Sequence, residues 1–191
     1  MTEGDLKKPH NKKRNRLSTW LMSLLFLCAV ILIFKIDYDD YRLKSDCSDH
    51  LKTIRSKQFL LEKNGIAVDK KSGIRWYRCN AGQRFINNSC TGKALTFDWE
   101  EAMDFPEELT KLTSLNWRLP TKEEAQSLRR PDCINPAIDQ TVFPDIRVAN
   151  YWTGSQSRRG ALFGCSFYTY DGRISCLMRR EKAHPIMLVL D

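Results

Sequence analysis

Trp117-Arg118-Leu119-Pro120-Thr121-Lys122-Glu123-Glu124 passes from an apolar entry segment to a helix start within eight residues. Thr121 and Glu124 have the spacing of a capping box. The threonine hydroxyl accepts from the third helical amide, and the glutamate reaches back to the threonine N–H. Pro120 keeps the approach extended. Trp117 and Leu119 enter the core just before the turn, and Ala125 and Leu128 lie on the inward face of the helix that follows. Two further strings come after it in close order. Pro136-Ala137-Ile138-Asp139 precedes Phe143-Pro144, and Tyr151-Trp152-Thr153-Gly154-Ser155 follows.

Working outward, the pattern is α+β. Ile66-Ala67-Val68 and Ile74-Arg75-Trp76 flank Asp69-Lys70-Lys71-Ser72-Gly73, which reads as a hairpin with Gly73 at positive φ. A helix is expected from Thr96 as N-cap, with Asp98, Glu100 and Glu101 near its positive end. Trp99, Ala102 and Met103 form its buried stripe, and Pro106 ends or kinks it. From Tyr151 the pattern is β. Tyr170-Asp171-Gly172-Arg173 marks a hairpin, and Ile186 to Leu190 is an apolar run suited to a buried strand.

Residues Leu17 to Phe34 carry eighteen positions without a charge. A helix of that length rises roughly 27 Å, close to the ~30 Å core of a bilayer. Lys7, Lys8, Lys12, Lys13, Arg14 and Arg16 precede it, and an acid-rich segment from Asp37 follows. That bias puts the N-terminus in the cytoplasm and the bulk of the chain outside. A cleaved signal peptide is the rival, but its apolar core is shorter and ends in a small-x-small site, which FKIDYDDY after the run does not supply. The expected organisation is a basic cytoplasmic tail at 1–16 and a transmembrane signal anchor at 17–36. A juxtamembrane helix or linker at 37–64 and one folded domain at 65–191 follow. Leu43, Cys47, Leu51 and Ile54 give the linker its helical spacing, with Phe59-Leu60-Leu61 after them.

Cys28 lies in the apolar run, and the other six cysteines lie on the outer side. An even count in an exported domain points to disulfides. The nearest cysteine pairs have ten residues between them, not the close Cys-x-x-Cys spacing of a zinc site. Cys79 and Cys90 flank turn-like Asn-Ala-Gly and Asn-Asn pieces and pair first. Cys165 and Cys176 pair next if the hairpin between them has a four-residue loop, Thr169 to Gly172. A two-residue loop would leave them diagonal and too far apart. Cys47 then joins Cys133.

The chain has 31 basic and 23 acidic residues, with six of those bases and two acids before Leu17. The rest therefore carries +4, a mild charge on an exported domain, and no nucleic acid is expected as partner. Of the three histidines only His50 and His184 lie on the outer side of the membrane, and they are far apart in sequence, more in keeping with surface residues than with a catalytic pair. The paired acids Glu100-Glu101, Glu107-Glu108 and Glu123-Glu124 read as helix-terminal and solvated positions. An enzyme is therefore not expected, nor is a cofactor. The remaining polar feature is three basic doublets, Arg129-Arg130, Arg158-Arg159 and Arg179-Arg180. Arginine presents a bidentate fork to sulfate, phosphate or carboxylate. The ligand-binding candidates are Arg158, Arg159, Arg179 and Arg180 with Tyr168 and Tyr170. The bland alternative is dispersed solubilising charge.

The Trp117–Thr121 run, the Pro136–Asp139 and Phe143-Pro144 pieces and Tyr151-Trp152 resemble the hallmark of the Lcl C-terminal domain family, named from the tail of a bacterial collagen-like adhesin. Asp69, Gly73, Trp76, Arg78-Cys79, Gly82-Gln83, Cys90, Trp99 and Ala102 extend the resemblance over roughly 67 to 190. It implies a C-type lectin-like domain with two helices and a small, mostly antiparallel sheet closed by pairing of its first and last strands. Trp117, Arg118, Leu119, Pro120, Thr121 and Trp152 would then be scaffold. The calcium-binding strings of lectins, Glu-Pro-Asn or Gln-Pro-Asp with Trp-Asn-Asp, do not occur, so no metal is expected. The family's closing strand carries an arginine pattern that Pro185 to Leu190 lacks, and no collagen-like stalk is present. The expected function is a membrane-anchored, periplasmic binding module of the bacterial inner membrane, recognising a protein or anionic envelope glycan. The alternatives are an immunity or inhibitor protein that neutralises a toxin or lytic enzyme and, third, an envelope enzyme.

Overall fold

The computed structural model describes residues 12–47 and 57–191. The far N-terminal tail, His50, Leu51 and Ile54 lie outside the described residues. The chain divides into two units, Met1–Lys44 and Ser45–Asp191.

The described residues of the first unit form one helix, α1 (Lys12–Leu43), which contains the apolar run. Its side chains are described from Trp20 to Ile36, and nearly all are exposed. Among the described residues no helix is long and apolar enough to cross a membrane.

The second unit is built on three sheets. The largest uses β1 (Phe59–Leu61), β2 (Ile66–Asp69), β3 (Arg75–Tyr77), β6 (Trp117–Arg118) and β10 (Val189–Leu190). Their order is β1-β2-β3-β10-β6, antiparallel throughout. A small hairpin pairs β4 (Arg84–Ile86) with β5 (Ser89–Thr91). A three-stranded sheet joins β7 (Asn150–Gln156), β8 (Phe163–Tyr168) and β9 (Arg173–Arg179) in that order.

The β2–β3 hairpin forms where the sequence places it. The Asp69 carboxylate accepts from the Lys71 and Ser72 amides, and Gly73 sits at φ 76°. Two expectations around it are corrected. Phe59-Leu60-Leu61 does not extend a juxtamembrane helix. It is an edge strand, held partly by Gln58 donating to Asp69 at 2.9 Å. The domain also does not close by pairing its first and last strands. β10 pairs with β3 on one side and β6 on the other.

The closing segment explains why its sequence is continuously apolar. Ile186 and Leu188 pack with Trp99, Leu119 and Trp152 in one core cluster. Met187 and Val189 pack with Trp76, Phe143 and Phe167 in another. Successive side chains of an extended segment point to opposite faces, so a chain threaded between two clusters has no polar side. Tyr151 and Trp152 divide between the same two clusters for the same reason.

Helix α2 (Trp99–Thr113) begins at Asp98, two residues later than expected. Asp98 caps the Glu101 amide and Glu101 returns the bond, so the capping box belongs to this pair and not to Thr96. Pro106 does not end the helix. It is buried within it, and the chain runs on to Ser114, which terminates it in the left-handed region. Trp99 and Ala102 face the core, whereas Met103 is 39% exposed and leaves the expected stripe. Helix α3 (Lys122–Ser127) carries the expected Thr121/Glu124 box, with Ala125 and Leu128 buried.

All three expected disulfides form, with Cα atoms 4.9 Å apart for Cys47–Cys133, 5.6 Å for Cys79–Cys90 and 3.8 Å for Cys165–Cys176. Tyr168 pairs with Arg173, so the hairpin loop has the four residues Thr169 to Gly172. Cys47 is further held by its amide on the Ile134 carbonyl at 2.8 Å.

Candidate functional site

The loop after β7 and the end of β9 lie at one end of the three-stranded sheet, because Phe163 pairs with Arg179. This placement brings Arg158, Arg159 and Arg179 to the same end. Arg158 and Arg159 are exposed and make no ion pair among the described residues. Arg179 pairs with Glu181, and that guanidinium holds the Glu181 carboxyl below the usual range.

Arg180 does not belong with them. Its guanidinium lies 3.8 Å over the Trp99 ring. Its Nη1 meets Glu100 at 3.0 Å, and its Nε donates to the Phe163 carbonyl at 3.2 Å. It therefore clasps the start of α2 to the end of the sheet, with its guanidinium already engaged. The tyrosines do not join the arginines either. Tyr168 and Tyr170 stack at 5.9 Å at the opposite end of β8, five residues and roughly 17 Å from Phe163.

Around β6, Arg118 is the hub. Its two terminal nitrogens meet the Glu124 carboxylate at 2.8 and 2.9 Å. Its Nε reaches Asp191 at 2.8 Å, and Nη1 also donates to the Leu119 carbonyl. The Glu124 hydrogen bond raises the Arg118 pKa, and Arg118 in turn lowers that of Glu124. Trp117 is only half-buried. Its Nε1 donates to Thr113, and its ring meets Tyr77 edge-on at 5.8 Å. A cleft of about 480 Å³ opens beside this run, between Met103, Pro106, Trp117 and Glu124. Its charged groups already satisfy one another, so the run reads as architecture.

The other motif pieces are equally internal. Trp152 is fully buried, with its Nε1 on the Phe97 carbonyl at 2.9 Å. Asn135-Pro136 is a cis peptide, and the Asp139 carboxylate accepts from the Thr141 amide and hydroxyl. Phe143 stands edge-on to both Phe59 and Trp76.

Residues 65–190 match the description of the Lcl C-terminal domain. The chain belongs to that family. No curated protein and no solved structure matches it.

In this Lcl C-terminal domain the titratable groups are mostly spoken for. Glu100 holds Arg180, Glu101 caps α2 and Glu124 caps α3. His184 is half-buried edge-on to Trp152 at 4.9 Å, and burial lowers its pKa. Among the described residues no His, Cys, Asp and Glu side chains cluster to hold a metal ion. Sequence reading missed Arg78, which lies 5% exposed beside Cys79. Its only signal was its place in the family pattern.

Proposed function

We propose that the chain is a membrane-anchored, exported binding module whose lectin-like domain recognises a protein or an anionic envelope glycan. Binding, and not catalysis, is the proposed activity. The observation that carries it is the gathering of Arg158, Arg159 and Arg179 at one end of the β7–β9 sheet, with Arg158 and Arg159 unengaged by any described acid. Three disulfides in the second unit support export to the bacterial periplasm. The uncharged run Leu17–Phe34, with six basic residues before it, supports an inner-membrane anchor whose N-terminus is cytoplasmic.

The test is a titration of the full-length chain, in detergent micelles, against a sulfated glycan at low and high salt. Replacing Arg158, Arg159 and Arg179 by alanine removes contacts worth about 1.5–3 kcal/mol each if desolvated. Affinity should fall in the variant and, for the wild type, with salt. Equal and salt-insensitive affinity sinks the basic-end site.

A second reading, a protein that neutralises a toxin or lytic enzyme, draws on a different surface. Leu112 is 83% exposed on α2, beside a cleft of about 460 Å³ lined by Phe105, Leu109 and Trp117. Exposed apolar surface of that kind suits a protein partner. A toxin encoded by a neighbouring gene, bound without salt dependence, would favour it.

A further inference from the structure

Arg78 is a buried cation without an anion. Its Nε donates to the Val142 carbonyl at 2.7 Å and its Nη2 to the Thr141 carbonyl at 3.2 Å. Its guanidinium lies 4.4 Å from the centre of the Phe85 ring. No carboxylate of the described residues comes within ion-pair distance. Glu62, which lines the same cavity as Arg78, is met by Arg75 at 3.9 Å. Burial lowers the Arg78 pKa, and no acid acts to raise it. Buried charges are ordinarily paired, because desolvation is costly unless an opposite charge offsets it.

The geometry of those bonds says which part of the guanidinium is spent. Nε–H and the adjacent Nη2–H form its side edge, and both go to main-chain carbonyls. The end edge, one N–H from each terminal nitrogen, keeps its donors. Arg78 lines a cavity of about 520 Å³ between β1, the β4–β5 turn and the Thr141-Val142 segment. Asn88 and Lys63 add a side-chain amide and a second positive charge to its walls, and Phe59 and Leu61 add apolar surface.

The position is also fixed in advance. The Arg78 amide donates to the Gly65 carbonyl at 2.9 Å, and the next residue is locked in the Cys79–Cys90 disulfide. A rigid donor fork in the wall of a cavity loses little freedom when the cavity is filled.

We infer that the Arg78 cavity is a binding site for a carboxylate, taken end-on by the guanidinium fork, with the apolar part of the ligand against Phe59 and Leu61. A planar carboxylate matches the two parallel N–H groups. With the Glu62 carboxylate and apolar surface also in the walls, the site suits a singly charged organic acid better than a phosphate dianion. The site is independent of the Arg158–Arg159–Arg179 end.

The experiment uses the full-length chain in detergent micelles, with N-acetyl-leucine as probe and its neutral amide and inorganic phosphate as controls. N-acetyl-leucine should raise the melting temperature in a saturable way, and the amide should not. Arg78→Lys keeps the charge and loses the fork, so it should weaken binding by roughly tenfold or more. Should that variant fail to fold, the Nη signals of Arg78 in the wild type give the answer by NMR. They should shift with the acid and stay still with the amide. The triple alanine variant at 158, 159 and 179 should bind N-acetyl-leucine as the wild type does, which separates this site from the basic end. Still Arg78 signals, an equal response to the amide, or preference for phosphate would each overturn the carboxylate site.

Discussion

Arg118 grips Glu124 through both terminal nitrogens, and the same carboxylate caps the amide of Thr121. One side chain thus fastens β6 to α3 and starts the helix. Arg118 holds the Glu124 pKa below its ordinary value. A carboxylate with a depressed folded pKa adds stability above its unfolded pKa and loses it as pH falls through the folded one. Acid unfolding of the wild type should therefore include a Glu124 component below about pH 4.5. Glu124→Gln should cost ~1 kcal/mol at neutral pH, since the pair is partly exposed, and the cost should vanish in acid. Denaturant titrations at pH 7 and pH 3 check this, and a cost independent of pH sinks it.

Thr121→Ala should cost ~1 kcal/mol through the lost cap. The two motif tryptophans should differ. Trp152 is fully buried and hydrogen-bonded, so Trp152→Ala should cost ~3–5 kcal/mol. Half-buried Trp117 should cost about 2 kcal/mol as alanine. Melting curves of the three variants give the order. Equal losses at 117 and 152 would mean that the Trp117 ring is more deeply enclosed than it stands here.

The disulfides should rank by loop length. Cys47 and Cys133 are 86 residues apart, and Cys79 and Cys90 are 11 apart. In the chain-entropy picture the first contributes about 4–5 kcal/mol and the second roughly 3. Paired serine substitutions measured in denaturant test the order. Peptide mapping of the oxidised chain should recover all three pairs.

A reporter enzyme that works only in the periplasm, fused after Asp191, should be active, and the product should stay in the membrane at full length. A mature form beginning near residue 36 would show that the anchor is cleaved.

Much of this domain was legible locally. Thr121 with Glu124, Asp69 with Gly73, and the four-residue hairpin loop are short-range patterns whose partners sit a few residues apart. The α2 start was legible too and was misread: Glu101 is three residues after Asp98, whereas Thr96 has Trp99 at that place. Pro106 misled because backbone chemistry disfavours it inside a helix, yet a capping box, a left-handed C-cap and the buried stripe hold α2 across it. What stayed hidden depends on long-range contacts. The edge strand Phe59–Leu61 is set by pairing with Ala67 to Asp69. Arg180 is fixed by an acid 80 positions earlier. Arg78 is oriented by carbonyls more than 60 positions later. No local spacing separates such arginines from Arg158 and Arg159.

β10 lies between β3 and β6, so the strand of this domain that the ribosome makes last is an interior one. Until Ile186 to Leu190 arrive, β3 and β6 have no common neighbour and both core clusters lack their shared wall. The sheet therefore cannot be completed before those residues have been added. A frameshift that spoiled only those five residues would undo the sheet from its middle outward.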